Sequence, residues 1–145
     1  MIVELADYER AREKVVGTPE LLAAALFGSG PVAEAVIAEV SGEPVGFALF
    51  YTTFSTWQCL PGVWLEDLFV RPAHRRGGVG RALLARVASV AVERGCGRLE
   101  WAALDWNAPA LDFYEGLGAQ ALGEWKLHRL DGAALEGVAG APGPE

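Results

Sequence analysis

Cysteine is nearly missing from this chain. Cys59 and Cys96 are the only two, and they lie far apart. That spacing excludes a disulfide framework or a cysteine zinc site. Histidine is as scarce: His74 and His128 have no neighbouring ligand types, so no metal is expected. No apolar run approaches the ~20 residues of a membrane span, so no membrane partner is expected. The opening MIVELADYER places acids early, without the basic-then-apolar order of a secretory leader. A cytoplasmic protein is the expectation. A broad basic face is also lacking, because the formal net charge is −7. This argues against nucleic acid as a partner and suits a cationic one.

Positive charge is concentrated in one place, VRPAHRRGGVGRALLARV. Arg71, Arg75, Arg76, Arg81 and Arg86 fall there with no acid between them. Three glycines, Gly77, Gly78 and Gly80, sit among them.

The hydrophobic fraction of 52% and the 145 residues suit one domain with a sizeable core. That domain is expected over 1–136, with 137–145, ending GAPGPE, as a flexible tail. Apolar periodicity predicts a helix from Met1 to about Val16, with Ile2, Leu5 and Ala6 on one face. Thr18 followed by Pro19 is an N-cap signal for a second helix, which Gly28 ends. Ala33–Val40 and Val45–Thr53 read as strands joined by SGE. Phe54–Gly62 reads as a loop. Trp64–Val70, WLEDLFV, reads as a central strand apolar on both faces. A helix follows from about Val79 to Arg94, with Leu83, Val87, Val90 and Ala91 as its inner stripe. Leu99, Trp101 and Ala103 alternate in a fourth strand. Asn107 caps another helix, and Glu124–Leu130 reads as a last strand. The order predicts an α/β chain of α+β type, with one mixed, partly antiparallel sheet.

A strand, a glycine turn and a helix start together make an anion site, because backbone N–H groups and the helix dipole converge there. A P-loop needs a Lys that this turn lacks. A dinucleotide fingerprint needs a small residue where Leu83 stands. The pattern R-x-x-G-x-G is met by Arg75, Gly78 and Gly80. Two acids, Glu66 and Asp67, interrupt the apolar strand ahead of the turn. Burying lone carboxylates costs several kcal/mol, so the pair suggests a bulge or a wet cleft. Glu66 can bind a cationic amine or act as its general base. Alternatively one acid bonds to a loop backbone or pairs with an arginine.

The turn resembles the acetyl-CoA pyrophosphate loop of the GCN5-related N-acetyltransferases (GNAT). LEDLFV ahead of it and DWNAPALDFYEGLGA behind it are similar to segments of the diamine (spermidine/spermine) and thialysine N-acetyltransferases. ELADYER is similar to that subfamily's first helix. The resemblance covers roughly Leu5 to Leu130 and implies a fold with a bulged, splayed strand and helices on both faces. It implies acetyl-CoA as co-substrate, a small-molecule amine as partner, and a homodimer. Backbone groups from Arg76 through Gly77, Gly78, Val79 and Gly80 to Arg81 would hold the pyrophosphate, with Arg75 and Arg71 adding charge. Leu68, Phe69 and Val70 would line the pantetheine arm, with Asn107, Pro109 and Ala110 beside it.

By the same resemblance, Tyr114 is the general acid for the leaving thiolate. Tyr8 and Glu9 contact the amine. Trp57 either walls the amine site or covers the core. Ser55 stands where the diamine enzymes often carry an acid, which points away from a long polycation. The domain of this family opens with a strand, whereas this chain starts inside the first helix. Either the start lies downstream of the true one, or the hairpin's Ala33–Val40 edge is exposed and needs a cover. A poorly anchored first helix or a masked edge is expected. Two other functions are compatible with the motifs: protein or peptide N-acetylation, and a non-catalytic acyl-CoA-binding module.

Overall fold

A computed structural model describes residues 1–140 of the chain. They fall into two compact units, Met1–Ala102 and a second from Ala103 onward. The first holds a four-stranded sheet in the order β1-β2-β3-β4. β1 (Glu34–Val40), β2 (Glu43–Ser55) and β3 (Leu60–Val70) form an antiparallel meander. β4 (Leu99–Trp101) then pairs with β3 in parallel.

β2 and β3 are buried where both of their faces are covered. Gly46 faces α3 (Val79–Glu93), since a Cβ there would meet Leu83 Cδ1 at 3.2 Å. Strand alternation then sends Ala48 and Phe50 to the same side and Phe47 and Leu49 to the other. Phe47 stacks near Phe69, with ring centroids 6.3 Å apart, on the side of α1 (Ile2–Tyr8). Helices therefore cover both faces. The core consists of Val45, Phe47, Ala48, Phe50, Val63, Leu65 and Phe69 from the sheet, with Leu83, Leu84, Val87, Val90 and Ala91 from α3. The last group contains the whole expected inner stripe.

α2 (Pro19–Phe27) starts as expected. Thr18 Oγ1 accepts from Leu21 N–H at 3.3 Å, and Pro19 takes the first helical position. α1 is shorter than its charge pattern suggests. The helix closes after Tyr8, where Ala11 N–H bonds to Ala6 C=O and Arg10 adopts φ 59°. The reason lies in the pattern: beyond Ala6 the inward positions fall on Glu9 and Arg10, which offer no apolar stripe to bury. A short 3-10 turn at Arg12–Lys14 follows. α1 is nevertheless anchored, which differs from the first of the two expected alternatives. Arg71 donates to both Glu4 carboxylate oxygens at 3.1 and 3.3 Å and to Pro44 C=O at 2.9 Å, and Ala6 is buried. β1 is the edge strand of the sheet, with Ile37 half exposed.

The segment expected as a loop, Phe54–Gly62, is mostly strand. The hairpin extends to the Ser55–Leu60 pair and turns over four residues. Ser55 Oγ accepts the Gln58 N–H at 3.3 Å there, and Cys59 takes φ 51°. The second unit holds α4 (Ala108–Glu115) and α5 (Gly132–Ala139). The expected strand at Glu124–Leu130 does not form. Its alternation of Trp125 and Leu127 has no other strand to pair with among the described residues of this unit, and a strand needs a ladder partner. The expected tail begins inside α5, so residues 137–139 are helical. Residues 141–145 lie outside the described ones.

Candidate acyl-transfer site

β3 carries the site because it is irregular at one point. Leu65 pairs with Phe50 and Asp67 with Leu49, so Glu66 is an extra residue opposite no partner. This is the bulge that the two acids suggested. In a regular strand Asp67 would face α3 and the core. The extra residue returns it to the α1 face, shared with Phe69, while Glu66 stays beside Trp64. The Trp64 indole Nε1 donates to Glu66 Oε2 at 2.9 Å. Glu66 is exposed and Asp67 half-buried.

Three carboxylates converge here. Burial raises the Asp67 pKa from 3.8 to about 6, and the charges of Glu66 and Glu9 add to the rise. Burial also raises Glu9. Tyr51, paired across the strands with Trp64, is raised by burial and by the Glu66 charge. No arginine pairs with Glu66 or Asp67 among the described residues. The carboxylates thus lack a cation of their own, and an ammonium group would supply one.

The same bulge sits where β4 ends. The parallel ladder covers Val63–Leu65 against Leu99–Trp101 and stops one residue before Glu66. Arg71 N–H bonds to Val45 C=O at 2.8 Å, which sets the phase of the β2–β3 ladder. Phe69 and Asp67 then turn their backbone groups to β2, while Leu68 and Val70 turn theirs away. Within this unit they face an edge with no fourth-strand partner. Val70 C=O is taken by Arg75 Nε at 2.8 Å. Leu68 keeps both groups toward the open edge, which suits an extended amide-bearing arm.

The chain leaves β3 through a 3-10 turn at Pro72–His74. Arg76 and Gly78 then take φ 64° and 84°. These left-handed steps wind the backbone into α3, with Gly78 as its N-cap. The first ladder bond is Ala82 N–H to Gly78 C=O at 2.9 Å. The N–H groups of Val79, Gly80 and Arg81 precede it and have no helical acceptor. Nothing lies within 4 Å of a Cβ built on Gly78.

The arginines of this stretch divide by partner. Arg71 is held by Glu4, Arg86 by Glu93 at 3.3 Å, and Arg75 by the Val70 carbonyl. Arg76 and Arg81 are exposed and have no ion pair among the described residues. Backbone donors, a helix start and two uncommitted guanidiniums form a donor set that fits a pyrophosphate.

Tyr8 and Glu9 sit at the end of α1, on the face of β3 that carries Asp67. Trp57 is not brought to the acids within this chain. It lies in the β2–β3 turn, 87% exposed, and the strand between it and Glu66 spans roughly 20 Å. In the second unit Asn107 is the N-cap of α4, without a side-chain cap bond, and Pro109 and Ala110 lie in its first turn. Tyr114 is near the end of α4, its ring 5.3 Å from that of Phe113. Trp64 and Tyr51 escaped the sequence reading. Their only signal was an aromatic pair flanking an acid-interrupted strand.

A bulged strand, a short parallel neighbour and a glycine turn opening the next helix frame the candidate site. The chain belongs to the acetyltransferase (GNAT) family, whose model matches residues 4–119. It is an N-acetyltransferase. Enzymes of this family use acetyl-CoA as co-substrate. Among curated proteins, the chain is 40% identical to thialysine N-epsilon-acetyltransferase of Bos taurus, over 97% of this chain and 88% of that protein. It is 45% identical to L-ornithine N5-acetyltransferase of Arabidopsis thaliana, over 64% of this chain and 41% of that protein. Among solved structures, an integron cassette protein from the mobile metagenome of V. cholerae matches with TM-score 0.79 at 26% identity. That match covers 96% of this chain and 87% of the other. No helix among the described residues is long and apolar enough to cross a membrane.

Proposed function

We propose that this enzyme transfers the acetyl group of acetyl-CoA to a primary amine of a small molecule, a lysine-like amino acid or a short diamine. The observation that carries the reading is the β3 bulge, which sets Asp67 near both Glu66 and Glu9 with no arginine paired to Glu66 or Asp67 among the described residues. An ammonium group is the ligand that such a cluster lacks. The names of the thialysine and ornithine relatives support the same class. The absence of an acid at Ser55 favours the short amine over a long polycation.

Acetyl-CoA, when bound, supplies the thioester that the amine nitrogen attacks. Its pyrophosphate is assigned to the backbone of Arg76–Arg81, and its pantetheine arm to the backbone of Leu68–Val70. Asn107, Pro109 and Ala110 are assigned to the same arm. Asp67, Glu9 and Tyr8 bind and orient the ammonium group. Glu66, steadied by Trp64, accepts the ammonium proton, directly or through water. Tyr114 donates its phenolic proton to the leaving sulfur. A thiol of pKa about 8.5 and a phenol of about 10 make that transfer depend on position more than on driving force. The reading takes residues 1–136 as one domain of a cytoplasmic homodimer. A thiol-release assay with acetyl-CoA against thialysine, lysine, ornithine and short diamines tests it. Turnover with one of these amines is expected. CoA binding without thiol release on any amine would leave an acyl-CoA-binding module, and turnover confined to peptides would leave a protein acetyltransferase.

A further inference from the structure

Arg75 occupies the motif position at which charge was expected to meet phosphate, yet its side chain, though exposed, lies back against the end of β3 and Tyr8. Nε donates to Val70 C=O at 2.8 Å. The guanidinium carbon lies 4.6 Å from the Tyr8 ring centroid and 5.8 Å from that of Phe69. One planar group therefore touches three parts of the molecule: the open end of β3, the apolar face beneath α1, and the last residue of α1. Two residues further along, Gly77 leads into the left-handed Gly78 and the free N–H groups of α3.

α1 is pinned at both ends by arginines of this one stretch. Arg71 holds its first turn through Glu4, and Arg75 holds its last residue by stacking. Glu9, next to Tyr8, comes near enough to Asp67 to influence its charge. Arg76 and Gly77 connect the glycine turn along the chain to Arg75, and Arg75 contacts Tyr8.

We propose that Arg75 is a positioning residue and not a phosphate ligand, and that its clamp on Val70 and Tyr8 couples occupancy of the glycine turn to the end of α1 that carries Glu9. This rests on the reading of the turn as the CoA site and of Glu9, Glu66 and Asp67 as the amine site. Binding of the nucleotide part would then order the amine site before the amine arrives. The charge of Arg75 is not the main point. A flat guanidinium can stack on a ring and donate from Nε at once, and an ammonium cannot.

The test compares Arg75→Gln, Arg75→Lys, Tyr8→Leu, the Arg75→Gln/Tyr8→Leu double variant and Arg76→Gln. Arg75→Gln should raise the KM for the amine about tenfold and leave the KM for acetyl-CoA within about twofold. Arg75→Lys should rescue little of this. For the amine KM the double variant should be no worse than Tyr8→Leu alone, because the clamp of Arg75 reaches the amine site through the Tyr8 ring. Arg76→Gln should show the reverse split, with acetyl-CoA affected. Amide hydrogen exchange gives a readout that needs no turnover. CoA should slow exchange at Leu5–Arg10 in the native protein and not in Arg75→Gln.

A tenfold loss of CoA affinity in Arg75→Gln with the amine KM unchanged would make Arg75 a phosphate ligand and overturn the proposal. So would additive effects in the double variant, or α1 exchange indifferent to CoA in the native protein. If the native protein binds CoA but acetylates no amine, the proposed substrate fails, and the exchange experiment still decides the role of Arg75.

Discussion

The indole Nε1 of Trp64 donates a 2.9 Å hydrogen bond to Oε2 of Glu66, two residues further along the same bulged strand. A bulged residue has no ladder partner to fix its direction. The indole supplies that direction. Trp64→Phe keeps an aromatic side chain opposite Tyr51 in the ladder and removes the donor. The expected result is a kcat about tenfold lower with the KM for acetyl-CoA unchanged, since a donor to a charged group contributes about 1.5–3 kcal/mol. Steady-state kinetics with each substrate varied in turn checks this. An unchanged kcat would remove Trp64 from the machinery.

Asp67 makes stability depend on pH in an unusual direction. Its pKa of about 6 in the folded chain lies above the ordinary 3.8. Between those values the folded state holds more protons than the unfolded one, so stability falls as pH rises from about 4 to about 6. Asp67→Asn removes the effect. Its Tm should match the native value near pH 4 and exceed it near pH 7. The gain corresponds to about 1 kcal/mol once solvent screening of the partly exposed carboxyl is allowed for. Calorimetry at the two pH values measures it. A Tm difference that does not grow with pH would refute the burial account. The same ionised carboxylate that strains the fold above pH 6 is available there to bind an ammonium group.

Some of this was legible in the sequence because local rules decided it. Thr18-Pro19 caps α2 by its own chemistry, and the α3 stripe follows from helical spacing. The bulge was legible too, since two adjacent acids cannot both face a core. What escaped depended on partners remote in the sequence. Trp64 reads as a core residue until the bulge turns Glu66 toward its indole. The contact of Arg75 with the ring of Tyr8, 67 positions earlier, has no signal in the local sequence. The extension of the β2–β3 hairpin through Phe54 and Pro61 likewise needed the ladder itself. Glu124–Leu130 had the alternation of a strand but no strand to pair with among the described residues of its unit.

Gly78 and Gly77 are adjacent and should respond differently to alanine. Gly78 takes φ 84°, so a Cβ there is strained although nothing lies within 4 Å of it. Gly78→Ala is expected to cost about 1–2 kcal/mol of stability. It should also raise the KM for acetyl-CoA, because the N–H groups of the turn are re-aimed. At Gly77 the φ is not left-handed, and the nearest atom to a Cβ is His74 O at an ordinary 3.7 Å. Gly77→Ala should leave the unfolding free energy within about 0.5 kcal/mol of native, as for a surface change. Denaturant melts with CoA titrations distinguish the two. Equal losses at both positions would mean that space around the ligand, and not backbone conformation, sets the requirement.

Tyr114 is the residue on which the chemical half of the proposal turns. Tyr114→Phe deletes one hydroxyl and keeps the ring that packs 5.3 Å from Phe113, so α4 should keep its stability. If the hydroxyl protonates the leaving sulfur, kcat should fall by about 10²–10³, within the range for loss of a general acid. The KM for acetyl-CoA should stay within about threefold, since ground-state binding does not use the proton. The alkaline limb of the kcat–pH profile should disappear with the phenol. The sharpest check uses a substrate whose thiol leaves without help. An acetyl thioester of a more acidic thiol should restore much of the lost rate in Tyr114→Phe and little in Trp64→Phe, because only the first lacks the proton donor for departure. Equal rescue of both variants would place Tyr114 in binding and not in acid catalysis.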